Sequence, residues 1–197
     1  ITYFHAIFWP ALLMASGYRT PTRLLVHGFL TVNGQKMSKS RGTFITAANY
    51  LKHFDPQYLR FYLASKLDSS IVDIDLQVDD FVNRINSDLV GKLANIPSRT
   101  TSLLTRHFGG QLGSIDEAEG RAMLEQVLSY VPRIESAYEA REIGMAVRHL
   151  MEAVGEINTY LQRSAPWQTF SSAPDSAHKA LTTALNAFRI VATLSSA

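Results

Sequence analysis

From Asp79 onward the apolar positions settle into a helical period. Val82, Ile85, Leu89, Leu93, Ile96 and Leu103 recur at three- and four-residue steps, with Thr100 in the same register. The spacing predicts one long amphipathic helix over 79–108, bent at Pro97, where the ring removes a ladder N–H and crowds the preceding turn. The same period predicts helices over 121–139 and 142–162, broken near Arg141, and over 176–194, with Pro174-Asp175 at its start. Residues 109–120 carry four glycines and several acids and read as a loop. Residues 164–174 read as irregular. The second half is therefore expected to be an all-helical bundle.

The first half has a different rhythm. Residues 2–16 predict a short apolar helix interrupted by Pro10. Residues 24–32 are rich in branched and aromatic side chains and predict a strand. Asn33-Gly34 follows, the strongest short signal for a hairpin, because both central residues of a type I′ turn need positive φ. Short helices are expected over 47–54 and 56–66, the second with Asp55 as its cap and Pro56 at the first helical position. Residues 70–76 predict a short strand or an extended link.

Composition narrows the chemistry. The 197 residues are 46% hydrophobic, enough for a domain or two with real cores. With 19 basic and 17 acidic residues, a polyanion would meet local patches and not a uniformly basic surface. There is no cysteine, and the six histidines are scattered, so neither disulfides nor a zinc site is supported. No apolar run approaches the roughly 20 residues needed to cross a membrane, and a cytoplasmic location is expected. The chain opens at Ile1 within apolar sequence and stops in what reads as an unfinished helix, as expected of a fragment of a longer protein.

Two constellations carry candidate chemistry. Lys36, Lys39 and Arg41 fall within six residues directly after the predicted turn, interleaved with Met37, Ser38 and Ser40 and followed by Gly42. A phosphate-binding loop needs such cations and small residues. It is not a Walker A loop: Gln35 makes the spacing from Gly28 and Gly34 one too long, and Met37 stands where Ser or Thr is required. The second constellation is a polar stripe of Lys92, Asn95, Arg99 and Arg106 on the long helix, which by pattern alone equally fits a solvated face. Asp73, Asp75, Asp79 and Asp80 are expected to cap and to lie at the surface.

Lys36-Met37-Ser38-Lys39-Ser40 resembles the signature loop of class I aminoacyl-tRNA synthetases. Residues 4–13 (Phe-His-Ala-Ile-Phe-Trp-Pro-Ala-Leu-Leu), 26–43 and 53–62 are similar, in order and spacing, to methionyl-tRNA synthetases of the bacterial type. The likeness extends through Ile74-Asp75-Leu76 and Asp80-Phe81-Val82 to Ala165-Pro166-Trp167, covering nearly the whole chain. This resemblance implies a mainly α chain. Residues 1–46 would be the end of a Rossmann-type α/β catalytic domain with its β-hairpin and signature loop. Residues 47–78 would be a linking region that touches the tRNA stem, and 79–197 a helical anticodon-binding domain.

The resemblance also implies an activity and its residues. The full enzyme would activate methionine with ATP and Mg2+ to methionyl-adenylate and pass it to tRNA(Met). Lys36, Met37, Ser38, Lys39 and Ser40 would bind the triphosphate, with Lys39 the main catalytic cation and Lys36 assisting. Ile1 and His5 would line the methionine pocket. Asn95, Arg99 and Trp167 would read the anticodon, the tryptophan by stacking on a splayed base. Any zinc would be bound outside this stretch, and the fragment alone would be inactive. The family often has an asparagine where this chain has Gly91, and Pro97 sits between Asn95 and Arg99. Two rival readings stand beside it: a non-catalytic tRNA-binding module, and a leucine, isoleucine or valine synthetase fragment sharing the loop and a helical bundle.

Overall fold

Residues 1–38 and 44–196 are described in a computed structural model. A small sheet sits at the centre of the first half because Asn33 and Gly34 take φ of 48° and 71°, the twist a two-residue hairpin requires. That turn joins β1 (Leu30–Val32) to β2 (Gln35–Lys36), antiparallel, with Thr31 opposite Lys36 and Val32 opposite Gln35. β3 (Ile74–Leu76) runs parallel to β1 on its other side, so the order is β2-β1-β3. The strand expected over 24–32 is laddered only over its last three residues. Upstream, the chain is tied to the run before β3 by Gly28 N–H to Val72 O (3.2 Å) and to the first residue of β3 by Ile74 N–H to Phe29 O (2.9 Å).

Helices α1 (Trp9–Ala15), α2 (Ala47–Tyr50) and α3 (Pro56–Ala64) frame this sheet in the sequence. Thr46 caps α2 by accepting from Asn49 N–H, and Asp55 caps α3 by accepting from Gln57 N–H at 2.8 Å. A small core forms between α3 and the sheet: Val32, Tyr62 and Leu76 are buried, and Leu30, Met37, Leu59, Leu63 and Phe81 pack on them. The Tyr62 hydroxyl is not stranded there. It lies 3.0 Å from Asp80 Oδ2 and 3.2 Å from the Asp75 carbonyl, and accepts from Gln77 N–H at 3.3 Å.

The long helix exists, with a departure from α geometry inside it. It runs as α4 (Val78–Arg84), a π-helical stretch (Ile85–Ala94) and α5 (Asn95–Phe108). The departure from α geometry lies upstream of Pro97, in the turn that must accommodate its ring. The N-terminal helix repeats the arrangement, with a π turn at Phe4–Phe8 ahead of Pro10. Gly91 sits inside the π stretch, where an added Cβ would meet the Asn86 carbonyl oxygen at 3.1 Å, a close contact that the glycine avoids.

The single helix expected over 121–139 is two, α6 (Glu119–Leu128) and α7 (Val131–Ala140). Pro132 explains the split. It has no N–H for the Leu128 carbonyl and stands instead in the first turn of α7. Arg141, at φ 67°, closes α7 in the left-handed conformation, and α8 (Ile143–Ser164) follows at once. The 164–174 segment is not wholly irregular, since Pro166–Thr169 form a helical turn, α9, before α10 (Pro174–Ser195). α8 buries Ala146, Leu150, Ala153, Val154, Ile157 and Leu161 along one stripe. α10 packs against α5, α6 and α8, with Ala180, Ala184 and Ala187 buried in the shared core. Small residues on both helices let their backbones approach closely.

The two halves meet end to end. The Gly144 N–H, at the start of α8, donates to Leu67 O at 2.6 Å, just past the end of α3, and Ser69 donates to the Glu142 carboxylate. Close approach also decides Gly28, where an added Cβ would overlap the Val72 carbonyl and the Asp73 nitrogen. Both are backbone atoms, so no side-chain rotation relieves the overlap. Gly28→Ala is expected to cost about 1–2 kcal/mol of stability through forced separation of the strands. A denaturant melt of the variant checks this, and an unchanged midpoint would show that the strands separate freely.

Candidate functional site

The basic loop starts from a hairpin held on three sides. Asp75, on β3, accepts from the Thr31 hydroxyl at 2.7 Å and from Gly34 N–H at 2.8 Å. These bonds, the Thr31 hydroxyl first, hold its carboxyl below the usual carboxylate range. Asp73 accepts from Phe29 N–H at 2.7 Å. Met37 packs into the small core with Val32, Tyr62 and Leu76. Its side chain thus anchors the start of the loop. The Lys36 ammonium lies over the Phe29 ring, 5.2 Å from the centroid. Ser38 is half-buried, while Lys39, Ser40 and Arg41 lie outside the described residues.

The expected surface role of the acidic group is therefore only part of the picture. Asp79 and Asp80 do sit in the first turn of α4. Asp80 also pairs with Lys66 (2.6 Å) and Arg84 (3.3 Å), tying α4 to the end of α3. The Lys66 ammonium, first, and the Tyr62 hydroxyl hold the Asp80 carboxyl low against partial desolvation. Among the described residues, no three His, Asp or Glu side chains are gathered as a metal site.

Ile1 and His5 border one groove. It has a volume of about 720 Å³ and is lined further by Leu24, Val26, Phe29 and Ile71. The His5 ring nitrogen Nδ1 lies 3.1 Å from the Ile1 carbonyl, so the four-residue spacing does bring the pair together. Both are exposed, and Phe4, Ile7 and Phe8 beside them are more than half exposed.

Arg99 and Trp167 lie 68 residues apart in the chain and in contact in the fold. The Arg99 guanidinium carbon sits 4.2 Å from the Trp167 ring centroid. Arg99 is exposed; Trp167 is half-buried, one part packed on the bundle core. Asn95, half-buried, lies one turn before Arg99. Trp167 is delivered by a strained link: Ala165 has φ 39° although it carries a Cβ and precedes a proline. Two turns beyond Arg99, His107 stacks on Phe170 with centroids 4.0 Å apart. The segment bearing Trp167 is thus pinned to α5 at both ends. Sequence reasoning missed Phe170 and His107, although an aromatic three residues after a tryptophan in a short loop was a usable signal.

Residues 1–101 match the family described as tRNA synthetases class I (M), and residues 109–197 match the anticodon binding domain of methionyl tRNA ligase. The chain belongs to the methionyl family of class I tRNA synthetases. It is 53% identical over 175 residues to methionine–tRNA ligase of Nitrosomonas europaea, covering 85% of this chain and 24% of that protein. To methionine–tRNA ligase of Bdellovibrio bacteriovorus it is 44% identical over 192 residues, covering 98% of this chain and 28% of that one. Methionyl-tRNA synthetase of Mycobacterium tuberculosis, solved in complex with methionyl-adenylate, superposes with a TM-score of 0.84 at 27% identity, over 98% of this chain and 39% of that one. The chain thus spans about a quarter of the length of the curated relatives it matches. Membership of the methionyl family sets aside the leucine, isoleucine and valine readings. The fold expected from the resemblance, a small β-containing remnant of the catalytic domain followed by a helical bundle, is the fold observed. Among the described residues, no helix is long and apolar enough to cross a membrane.

Proposed function

We propose that these residues are part of a cytoplasmic methionine–tRNA ligase. The whole protein activates methionine with ATP, the carboxylate attacking the α-phosphate as the bond to pyrophosphate breaks, and passes the methionyl group from the resulting adenylate to tRNA(Met), releasing AMP. In this reading residues 1–46 close the catalytic domain, 47–78 link it to the tRNA stem, and 79–197 receive the anticodon. Lys36 and Lys39 meet the charge that develops on the departing pyrophosphate of the ATP–Mg2+ complex. Ile1 and His5 contribute one wall of the methionine pocket, where an apolar surface and a ring nitrogen suit a thioether. Asn95, Arg99 and Trp167 take the anticodon bases. A guanidinium layered on an indole presents a flat face for stacking and a fork of N–H donors for a base edge.

One observation carries the reading: a single chain holds the hairpin that delivers the basic loop and, across the bundle, the Arg99–Trp167 pair at 4.2 Å. A non-catalytic binding module has no use for the first of these. The test is ATP–pyrophosphate exchange by the full-length protein with methionine, leucine, isoleucine and valine in turn, alongside charging of tRNA(Met). Exchange is expected with methionine alone, and none from residues 1–197 by themselves, which span about a quarter of their relatives. Full-length protein that exchanges no amino acid but binds tRNA would overturn the reading in favour of the binding module.

A further inference from the structure

Asp75 is placed where β3 meets the hairpin, and it bonds to both β1 and the turn. A two-residue hairpin whose second strand is only Gln35–Lys36 is marginal by itself. Its placement must come from outside, and it comes from β3. The two central amides of the turn are not left to solvent: Asn33 N–H donates to Leu76 O at 3.0 Å, and Gly34 N–H donates to Asp75 Oδ1 at 2.8 Å. The same carboxylate oxygen accepts from the Thr31 hydroxyl at 2.7 Å. Thr31 is the register partner of Asp75 on one side and of Lys36 on the other. Lys36, Thr31 and Asp75 therefore form one row across the sheet, with their side chains on a common face. One carboxylate, 41 residues from the turn in sequence, grips both the middle of that row and the turn that reverses into Lys36.

We propose that Asp75 is a positioning residue for amino-acid activation, acting through the hairpin to set where Lys36 stands. The inference rests on the activation reading above. Asp75 touches neither substrate nor reacting atoms. It supplies a charged acceptor to one donor of the turn, the Gly34 amide, and to one on β1, the Thr31 hydroxyl, and charge-assisted bonds of this kind are the strong ones. Without it the Gly34 amide loses its acceptor and the Thr31 hydroxyl its cross-strand partner, and the hairpin is held less firmly against β3. Catalysis by a placed cation is sensitive to such loosening, since a displacement of about 1 Å can cost on the order of a hundredfold in rate.

The test uses the full-length protein and four variants: Asp75→Ala, Asp75→Asn, Thr31→Val and Lys36→Ala. ATP–pyrophosphate exchange is measured for kcat and for the KM of ATP and of methionine, with a thermal melt of each variant. Asp75→Ala is expected to lower kcat on the order of tenfold, leaving the methionine KM within about twofold and the melt nearly in place. Asp75→Asn keeps an acceptor oxygen and should recover most of the loss. Thr31→Val removes one of the two bonds and should fall between. Normal exchange by Asp75→Ala while Lys36→Ala is impaired would overturn the positioning role and leave the activation reading intact. Equal loss in Asp75→Ala and Asp75→Asn, in proportion to a lowered melt, would make Asp75 a residue of the fold only. Normal exchange by Lys36→Ala would remove the role of that cation in the reaction, and this inference with it.

Discussion

Lys39→Ala, in the full-length protein, is expected to slow methionyl-adenylate formation on the order of a hundredfold while leaving methionine binding nearly unchanged. Further negative charge develops on the departing pyrophosphate as the bond to the α-phosphate breaks, so a cation placed there binds the transition state more tightly than the ground state. Loss of one such contact costs about 3 kcal/mol or more. The signature is a fall in kcat for ATP–pyrophosphate exchange at saturating substrates, with methionine affinity retained. Retained turnover would mean that the basic loop is a solvated turn. Lys39 lies outside the described residues, so its part in the reaction rests on the motif and on the family to which residues 1–101 belong.

The second large effect is expected at the other end of the molecule. Trp167→Ala should weaken charging of tRNA(Met) by roughly 1–3 kcal/mol, the range of one base stacked on an aromatic ring. Replacing Arg99 should cost a similar amount at one base of the CAU anticodon and relax discrimination there. The guanidinium over the indole contributes about 0.5–1 kcal/mol of its own at an exposed site. Trp167 is half-buried against the bundle core, so truncation also leaves a void. Trp167→Phe, which keeps a ring, separates the two effects: it should melt near the parent and retain part of the charging. Exchange without tRNA should be unaffected by any of these changes. Charging of anticodon-mutant tRNA at wild-type selectivity by both the Trp167 and the Arg99 variants would sink the recognition role and leave the polar face merely solvated.

What the sequence determined by itself is local. Asn33-Gly34 demanded a type I′ turn because few residue pairs accept two positive φ angles, and the turn is there. Asp55-Pro56 announced α3, and the three-and-four spacing announced the bundle, because cap chemistry and helical period are written within one or two turns. Pro97 marked a place where α geometry would be disturbed, and a π stretch lies just upstream of it, whereas the break at Pro132 was not read from the period, which runs through 121–139 without interruption. Ladder length could not be read from 24–32, because a strand ends where its partner ends, and that partner lies more than 40 residues away. The same limit hid the role of Asp75, whose acidity near other acids suggested a surface residue. Its partners Thr31 and Gly34 become neighbours only when β3 docks parallel to β1. Arg99 and Trp167 were each legible as candidates, but their stacking across 68 residues was decided by α10 and α9 folding back along α5. Periodicity and turn chemistry act through adjacent bonds, whereas a contact between distant residues exists only once the core has chosen which faces to bury.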